Sequence, residues 1–225
     1  MVTMQTFPSR EEWLKARTSY IGGSDVGAIL GLNPWMSNVD LWEIKTGRKK
    51  QKDISNEPTV KYGTNAEQYL RELFKLDYPQ YEVFYKEHNM WHNDKYDYGH
   101  ASLDGWLVEK ETDRKGIWEC KTSLVNSYSQ LKEKWGTRQD PKIPDTYFCQ
   151  VVFYLLITEF DFVHLTAQIK FGFSDEKCAD EKVTREYHIE RSEVEDDIAY
   201  IAKKCEEFAQ TIREDKRPAL LLPEI

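Results

Sequence analysis

The chain has 225 residues, enough for one core to bury roughly 70% of the surface the unfolded polymer exposes, so neither a disulfide nor a metal is required merely to hold it together. Its 13 Tyr, 10 Phe and 7 Trp exclude a disordered chain. The longest apolar run, Val151–Ile157, falls far short of the ~20 residues a membrane helix needs, and the first eight residues carry neither half of a secretory leader, so a cytoplasmic protein is expected. The net charge of −8 counts against a broad nucleic-acid surface. The sum hides an asymmetry, however: residues 1–75 carry a small positive excess and residues 174–225 a large negative one. A local basic face can bind phosphate while the remainder stays acidic. Cys120, Cys149, Cys178 and Cys205 are widely spaced with no CxxC, a pattern of free thiols rather than of a zinc or iron–sulfur site.

In chain order, Ser9-Arg-Glu-Glu12 is a capping box opening a helix through about Ser19. Gly22-Gly23 breaks the chain, and Ser24 is placed to cap a short helix, Asp25 to Leu30, ended by Gly31. Ser37 opens another helix that closes at Gly47, and the basic run Lys45–Lys52 reads as a solvated connection. Thr59 to about Leu76 is a long helix whose apolar stripe is Val60, Ala66, Leu70, Leu73 and Phe74, with Glu67 beside it. From Tyr81 the pattern turns to strands: Glu82–Lys86, Met90–His92, His100–Val108 and Gly116–Thr122. The polar stretch Glu109–Lys115 is the hairpin loop between the last two. Asn126–Trp135 and the strongly apolar Asp145–Ile157 are helices. Asp161–Phe171 and Thr184–Glu190 alternate like strands, and Ser192 caps a last amphipathic helix to about Asp215. With no repeat and no linker, this order describes one α/β domain over residues 1–225, a mixed central sheet flanked by helices. Its N-terminal helical part spans about 8–76, its core about 80–190, and its last helix and tail 192–225.

The chemistry concentrates in Ser102-Leu-Asp-Gly105 and Glu119-Cys-Lys121. Side chains alternate along a strand, so Glu119 and Lys121 project to one face and Trp118 and Cys120 to the other. Pairing the two strands as a hairpin brings Asp104 to Glu119. Two carboxylates are hard ligands for Mg²⁺, which lowers the pKa of bound water and neutralises a transferring phosphoryl group. Lys121 is placed to orient that water or to stabilise the transition state. Without a cation, two facing carboxylates repel and one takes up a proton. The competing reading is a solvated strand face with a surface ion pair. Two further Glu-x-Lys triplets, at Glu43 and Glu214, fall on helices and do not share a face.

Five segments in this order are Ile21-Gly-Gly-Ser-Asp-Val-Gly-Ala-Ile-Leu-Gly-Leu-Asn-Pro-Trp35, Tyr62-Gly-Thr-Asn-Ala-Glu67, Ser102–Gly105, Glu119–Lys121 and Gln150 in an apolar helix. Together they resemble the phage lambda-type exonucleases, the YqaJ-like viral recombinase family of the PD-(D/E)xK nuclease superfamily, over about residues 10–170. The resemblance implies a restriction-endonuclease-like core and a Mg²⁺-dependent enzyme (Mn²⁺ substituting). That enzyme would degrade one strand of linear duplex DNA from its 5′ end, leaving 5′-mononucleotides and a 3′ tail. It implies Glu67, Asp104, Glu119 and the backbone carbonyl of Cys120 as metal ligands, Lys121 as the catalytic lysine, and Gln150 close to the reacting groups. Arg17, Ser24 and Ser102 match the groups that hold the terminal 5′-phosphate. A ring-shaped homotrimer, a single-strand annealing partner, and work inside a bacterial host on behalf of a phage are implied in the same way. Leu103 stands where the superfamily motif has Pro.

Read alone, Arg17 is a solvated helix arginine, Ser24 an ordinary N-cap and Glu67 a surface acid, whereas a Gln on an apolar helix demands partners. The His88/His92 pair has helical metal spacing on a strand-like segment and reads as no metal site. Trp35, Trp42 and Trp91 read as core or rim. The apolar tail Pro218–Pro223 either closes its own core or docks on a neighbouring chain. The rival functions are another nuclease of the superfamily, such as an endonuclease or repair enzyme, and a DNA-end-binding module with a dead site.

Overall fold

The strand from Lys115 to Val125 organises the structure, a computed structural model that describes residues 1–173 and 182–221. The elements are β1 (Val2–Thr6), α1 (Arg10–Thr18), β2 (Ile21–Gly22), α2 (Gly23–Ile29), α3 (Asn38–Lys45) and α4 (Pro58–Asp77). They continue with β3 (Tyr81–Phe84), β4 (Asn89–Asn93), β5 (Gly99–His100), β6 (Gly105–Glu109), β7 (Lys115–Val125) and α5 (Tyr128–Trp135). The last are α6 (Asp145–Thr158), β8 (Phe162–Phe171), β9 (Lys182–Glu190) and α7 (Glu195–Arg213). Five strands form a mixed sheet in the order β3-β6-β7-β8-β9. Within this sheet, among the described residues, only β7 and β8 run parallel, and α5 and α6 make the crossover that a parallel pair needs.

Period-2 alternation along β7 divides the core. Trp118 and Cys120 pack with Leu107 and Phe162 beneath Leu70 and Phe74 of α4. Ile117, on the opposite face, joins Val163 and Leu165 against α6, α2 and α7. Helix α6 is buried on all sides from Cys149 to Thr158, as expected of a helix apolar around its whole circumference. The chain is thus an α/β fold with helices on both faces of the sheet, and Glu119 and Lys121 look toward α6.

Several details depart from the sequence reading, each for a local reason. Ser24 does not cap α2. Gly22 is the N-cap, its N–H donating to Asp25 Oδ2 at 2.9 Å, because a carboxylate at the third helical position reaches back more readily than a hydroxyl at the second. Ser192 does not cap α7 either: it lies in a short 3₁₀ turn, and α7 starts from Val194. In α4, Leu73 is 54% exposed, and Arg71 takes the buried position between Leu70 and Phe74. Lys45 is not solvated. Its Nζ donates to the carbonyls of Arg17 (3.2 Å) and Tyr20 (2.5 Å) and pairs with Asp25 at 2.8 Å, tying α3 to the end of α1 and the start of α2.

Trp35 is 90% exposed, neither core nor rim, while Trp42 is buried and Trp91 packs edge-on to Trp106 and Phe160. His88 lies in the turn before β4 with φ of 53°. The stretch read as one strand from His100 to Val108 is two, β5 and β6, with a bend between them. β1 was not expected; it pairs antiparallel with β4. In the tail, Asn38 clasps the backbone, donating to Ala219 O (2.7 Å) and accepting from Leu221 N (3.0 Å); Leu222 and Pro223 lie outside the described residues. So does Cys178. Cys120, Cys149 and Cys205 are buried and unbridged. No helix among the described residues is long and apolar enough to cross a membrane.

Candidate active site

The bend between β5 and β6 sets the position of Asp104. Leu103 has no strand partner there; instead Asn89, buried at the start of β4, takes both of its backbone groups. Asn89 Oδ1 accepts from Leu103 N at 2.9 Å and its Nδ2 donates to Leu103 O at 2.8 Å. An N–H that a proline would lack is thereby satisfied. Asp104 follows, and register resumes with Gly105 opposite Trp118. This brings the Asp104 carboxylate to the neighbouring strand, where Oδ2 accepts from Cys120 N at 3.0 Å. The expected meeting of Asp104 with the Glu119–Lys121 segment is therefore present.

Glu119 is 1% exposed. Its Oε1 accepts from Lys121 Nζ at 2.6 Å and from Gln150 Nε2 at 2.8 Å. Gln150 also donates to the Tyr154 hydroxyl at 2.9 Å. This satisfies the partner requirement of a glutamine on an apolar helix. Glu119 Oε2 is buried and without a partner. On the α4 side, Arg71 Nη1 donates to Glu67 Oε1 (3.1 Å) and to Asp104 O (2.8 Å), with its guanidinium 3.8 Å over the Tyr85 ring. Arg71 and Asn89 had no signature in the sequence: each acts through a contact that only the tertiary fold creates.

Electrostatics follow from the crowding of acids. Burial and the Asp104 charge push Glu119 up to about 8 and Glu67 up to about 7. Asp104 is also raised, by burial, against the pull of Lys121, the Cys120 N–H and Arg71. Burial works against the Lys121 charge, but Glu119 and Asp104 more than offset it and keep the ammonium protonated. The three acids thus feel one another, while Lys121 and Arg71 act as their counter-ions. As placed, no three His, Cys, Asp or Glu side chains among the described residues form a ready metal-ligand set, and Oε1 of Glu67 is engaged by Arg71. The orphaned Oε2 of Glu119 and the mutual elevation of three carboxylates nevertheless fit a hard divalent cation, which is bound by such oxygens.

Beyond the first turn of α2 lies a cavity of ≈ 110 Å³ walled by Arg17, Ser24, Asp25, Lys45, Gln51 and His100, among others. Gly23 separates it from the acids: a Cβ there would stand 2.5 Å from the Tyr154 ring and 3.0 Å from Gln150 Cγ. Arg17 and Ser24, which the family resemblance alone had put together, thus share this wall. Ser102 does not line it, its Oγ lying 3.4 Å from His100 Nδ1. The Arg17 guanidinium is 4.4 Å from the centre of the Trp13 ring.

The fold has known counterparts. The structure is similar to the alkaline exonuclease LHK-Exo of Laribacter hongkongensis, with TM-score 0.62 and 15% identity over 91% of this chain and 93% of that one. It is also similar to a phage-related exonuclease of Haemophilus somnus 129PT, with TM-score 0.51 and 11% identity over 87% and 96% of the two chains. These likenesses place the architecture among phage-type exonuclease folds. Residues 12–161 match the YqaJ-like viral recombinase domain, and the chain belongs to that family. It is 35% identical to the protein YqaJ of Bacillus subtilis (strain 168) over 147 residues, 65% of this chain but only 42% of that protein.

Proposed function

We propose that the chain is a divalent-metal-dependent exonuclease that shortens one strand of linear duplex DNA from its 5′ end. It would release 5′-mononucleotides and leave a 3′ single-stranded tail for recombination by strand annealing. One observation carries the reading: in an acid cluster with an orphaned carboxylate oxygen and Lys121, Gln150 packs against Gly23, and the next residue, Ser24, lines a cavity together with Arg17. Such a pairing suits an enzyme that grips a terminal phosphate and cuts just beyond it.

Glu67, Asp104 and Glu119, with the carbonyl of Cys120, would hold Mg²⁺ or Mn²⁺. When bound, the cation supplies an acidified water and neutralises charge on the phosphoryl group. Lys121 presents its ammonium to the developing phosphorane charge, since Glu119 and Asp104 keep it protonated against the cost of burial. Gln150 holds the Glu119 carboxylate in plane through Oε1 and leaves Oε2 free. Arg17 and Ser24 take the 5′-phosphate, Arg17 with its forked guanidinium, while Ser102 stands off the cavity wall beside His100. A ring-shaped trimer around the duplex, a single-strand annealing partner, and action in a bacterial cytoplasm belong to the same proposal.

The test is digestion of 5′-phosphorylated linear duplex with Mg²⁺, using wild type and Asp104→Ala. Nucleotide release by wild type alone, with circular duplex spared, supports the reading; equal cutting of circles sinks the exonuclease. Light scattering checks for the trimer.

A further inference from the structure

Besides the exposed Gln51, three side chains on the wall of the ≈ 110 Å³ cavity carry hydrogen-bond donors that no protein acceptor takes among the described residues. The Arg17 guanidinium makes only its ring contact with Trp13. The Ser24 hydroxyl is released because Asp25, not Ser24, does the capping at Gly22. His100 is 1% exposed and its Nε2 is buried without a partner. A buried polar nitrogen left unpaired is costly, and here it belongs to a residue that lines a cavity. Lys45, by contrast, is already spent on two carbonyls and Asp25, and it neutralises the one carboxylate on the wall.

His100 is held in place from both sides. It ends β5, paired in parallel with Gly22 of β2. A Cβ on residue 22 would lie 2.9 Å from His100 Nε2 and 3.2 Å from Cε1, so a glycine there leaves room for the imidazole. On the other ring edge, Nδ1 lies 3.4 Å from Ser102 Oγ. A hydroxyl donating to Nδ1 leaves the proton on Nε2. Burial, with Arg17, Lys45 and His92 nearby, keeps the ring neutral by lowering its pKa well below the usual value. A neutral ring of this tautomer donates only from Nε2.

We propose that His100 is a third donor to the terminal 5′-phosphate, its Nε2–H acting beside Arg17 and Ser24. Ser102, off the wall, then acts through His100 by setting its tautomer. This rests on the phosphate-pocket reading above and adds to it the residue that completes the donor set. A phosphate offers enough acceptor oxygens for all three groups, which a hydroxyl end does not.

The experiment measures binding of two duplexes, identical except for a 5′-phosphate or 5′-hydroxyl end, by fluorescence anisotropy without divalent metal, so that no cleavage occurs. Wild type is compared with Arg17→Ala, His100→Asn and His100→Gln. The Gln amide nitrogen reaches the Nε2 position; the shorter Asn amide does not. Expected is a preference of wild type for the phosphorylated end that His100→Asn reduces roughly tenfold and His100→Gln largely keeps, as for a hydrogen bond to a charged group. All variants should bind the hydroxyl end alike.

If wild type shows no preference, the pocket reading fails and this inference with it. If Arg17→Ala abolishes the preference while His100→Asn keeps it, the pocket stands and His100 is overturned. Equal loss in Asn and Gln assigns His100 to packing and also overturns it. Should a variant not fold, ¹⁵N spectra of wild-type imidazoles decide. A shift of the His100 Nε2–H resonance on adding the phosphorylated but not the hydroxyl duplex supports the proposal; no shift rejects it.

Discussion

Gln150 Nε2 stands 2.8 Å from Glu119 Oε1, so the oxygen that takes the Lys121 ammonium also takes a neutral donor from α6. One oxygen of the carboxylate is saturated and the other is left bare. Gln150→Ala removes the neutral donor and strands the Tyr154 hydroxyl while leaving Lys121 in place. Turnover should fall about 10–100-fold, as when the hydrogen-bond partner of a metal-ligating group is removed. Stability should fall by about 1–3 kcal/mol, the cost of leaving a buried polar group unpaired. Steady-state kinetics at saturating Mg²⁺, alongside a thermal melt, check both halves.

Asn89 supports the site from a distance. It substitutes for the missing strand partner of Leu103, one residue before Asp104. Asn89→Leu keeps the volume but leaves a buried N–H and C=O of Leu103 unpaired, costing about 3 kcal/mol. Urea unfolding measures that loss. Because the bend also aims Asp104 at Cys120 N, turnover of the folded fraction should drop as well; a variant that loses stability yet cuts at the wild-type rate would show that the bend needs no such support.

The parts of this site that the sequence disclosed are those written in short-range periodicity. Glu119 and Lys121 share a face because strands alternate, and Gln150 was conspicuous because its helix is otherwise apolar. Arg17 and Ser24 were placed in order along the chain. Asn89, Arg71 and His100 were invisible for the opposite reason: each is an ordinary polar residue whose role arises from a partner brought up by the fold. Arg71 reaches the carbonyl of Asp104, 33 positions on, and its burial displaced Leu73 from the predicted stripe. β1 was missed because its exposed Thr-Met-Gln-Thr carries no inward-outward alternation, and only pairing with β4 makes it a strand. The Ser24 cap was misread because hydroxyl and carboxylate compete for the same N–H, and local sequence does not rank them.

His164 offers a pH test away from the active site. It sits among Phe74, Tyr78, Tyr81 and Phe162, with Nδ1 buried and unpaired. Burial, aided by His188, lowers it from 6.5 to about 4. Below pH 6.5 the unfolded chain takes up a proton that the folded one refuses until about pH 4. The wild type therefore loses stability across that window as pH falls. His164→Phe has no such proton to refuse. Its stability relative to wild type should rise on acidification, by about 1.4 kcal/mol for each pH unit at most. Urea midpoints of both proteins from pH 7 to 4.5 give the difference, and parallel curves would contradict it.

The bare oxygen of Glu119 sets function against stability. Its carboxyl is raised from 4.5 to about 8 by burial and by Asp104. Near neutral pH the unfolded chain has lost this proton while the folded one largely keeps it, so the cost to the native state builds between those two values, persists above the upper one and is relieved below the lower one. Glu119→Gln preserves shape, keeps an acceptor for Lys121 and removes the titration. Without metal, it should be more stable than wild type at pH 7, by about 2 kcal/mol, and the gain should vanish toward pH 4. Divalent metal should reverse the ranking: Mg²⁺ or Mn²⁺ binds the native wild type and raises its melting temperature with the logarithm of ligand excess, while the amide, lacking the charge, gains little. Nuclease turnover should be lost in the variant throughout. Melting curves of both proteins with metal and with chelator make the comparison. A wild type that melts at the same temperature in both conditions would remove the case for a cation among these acids.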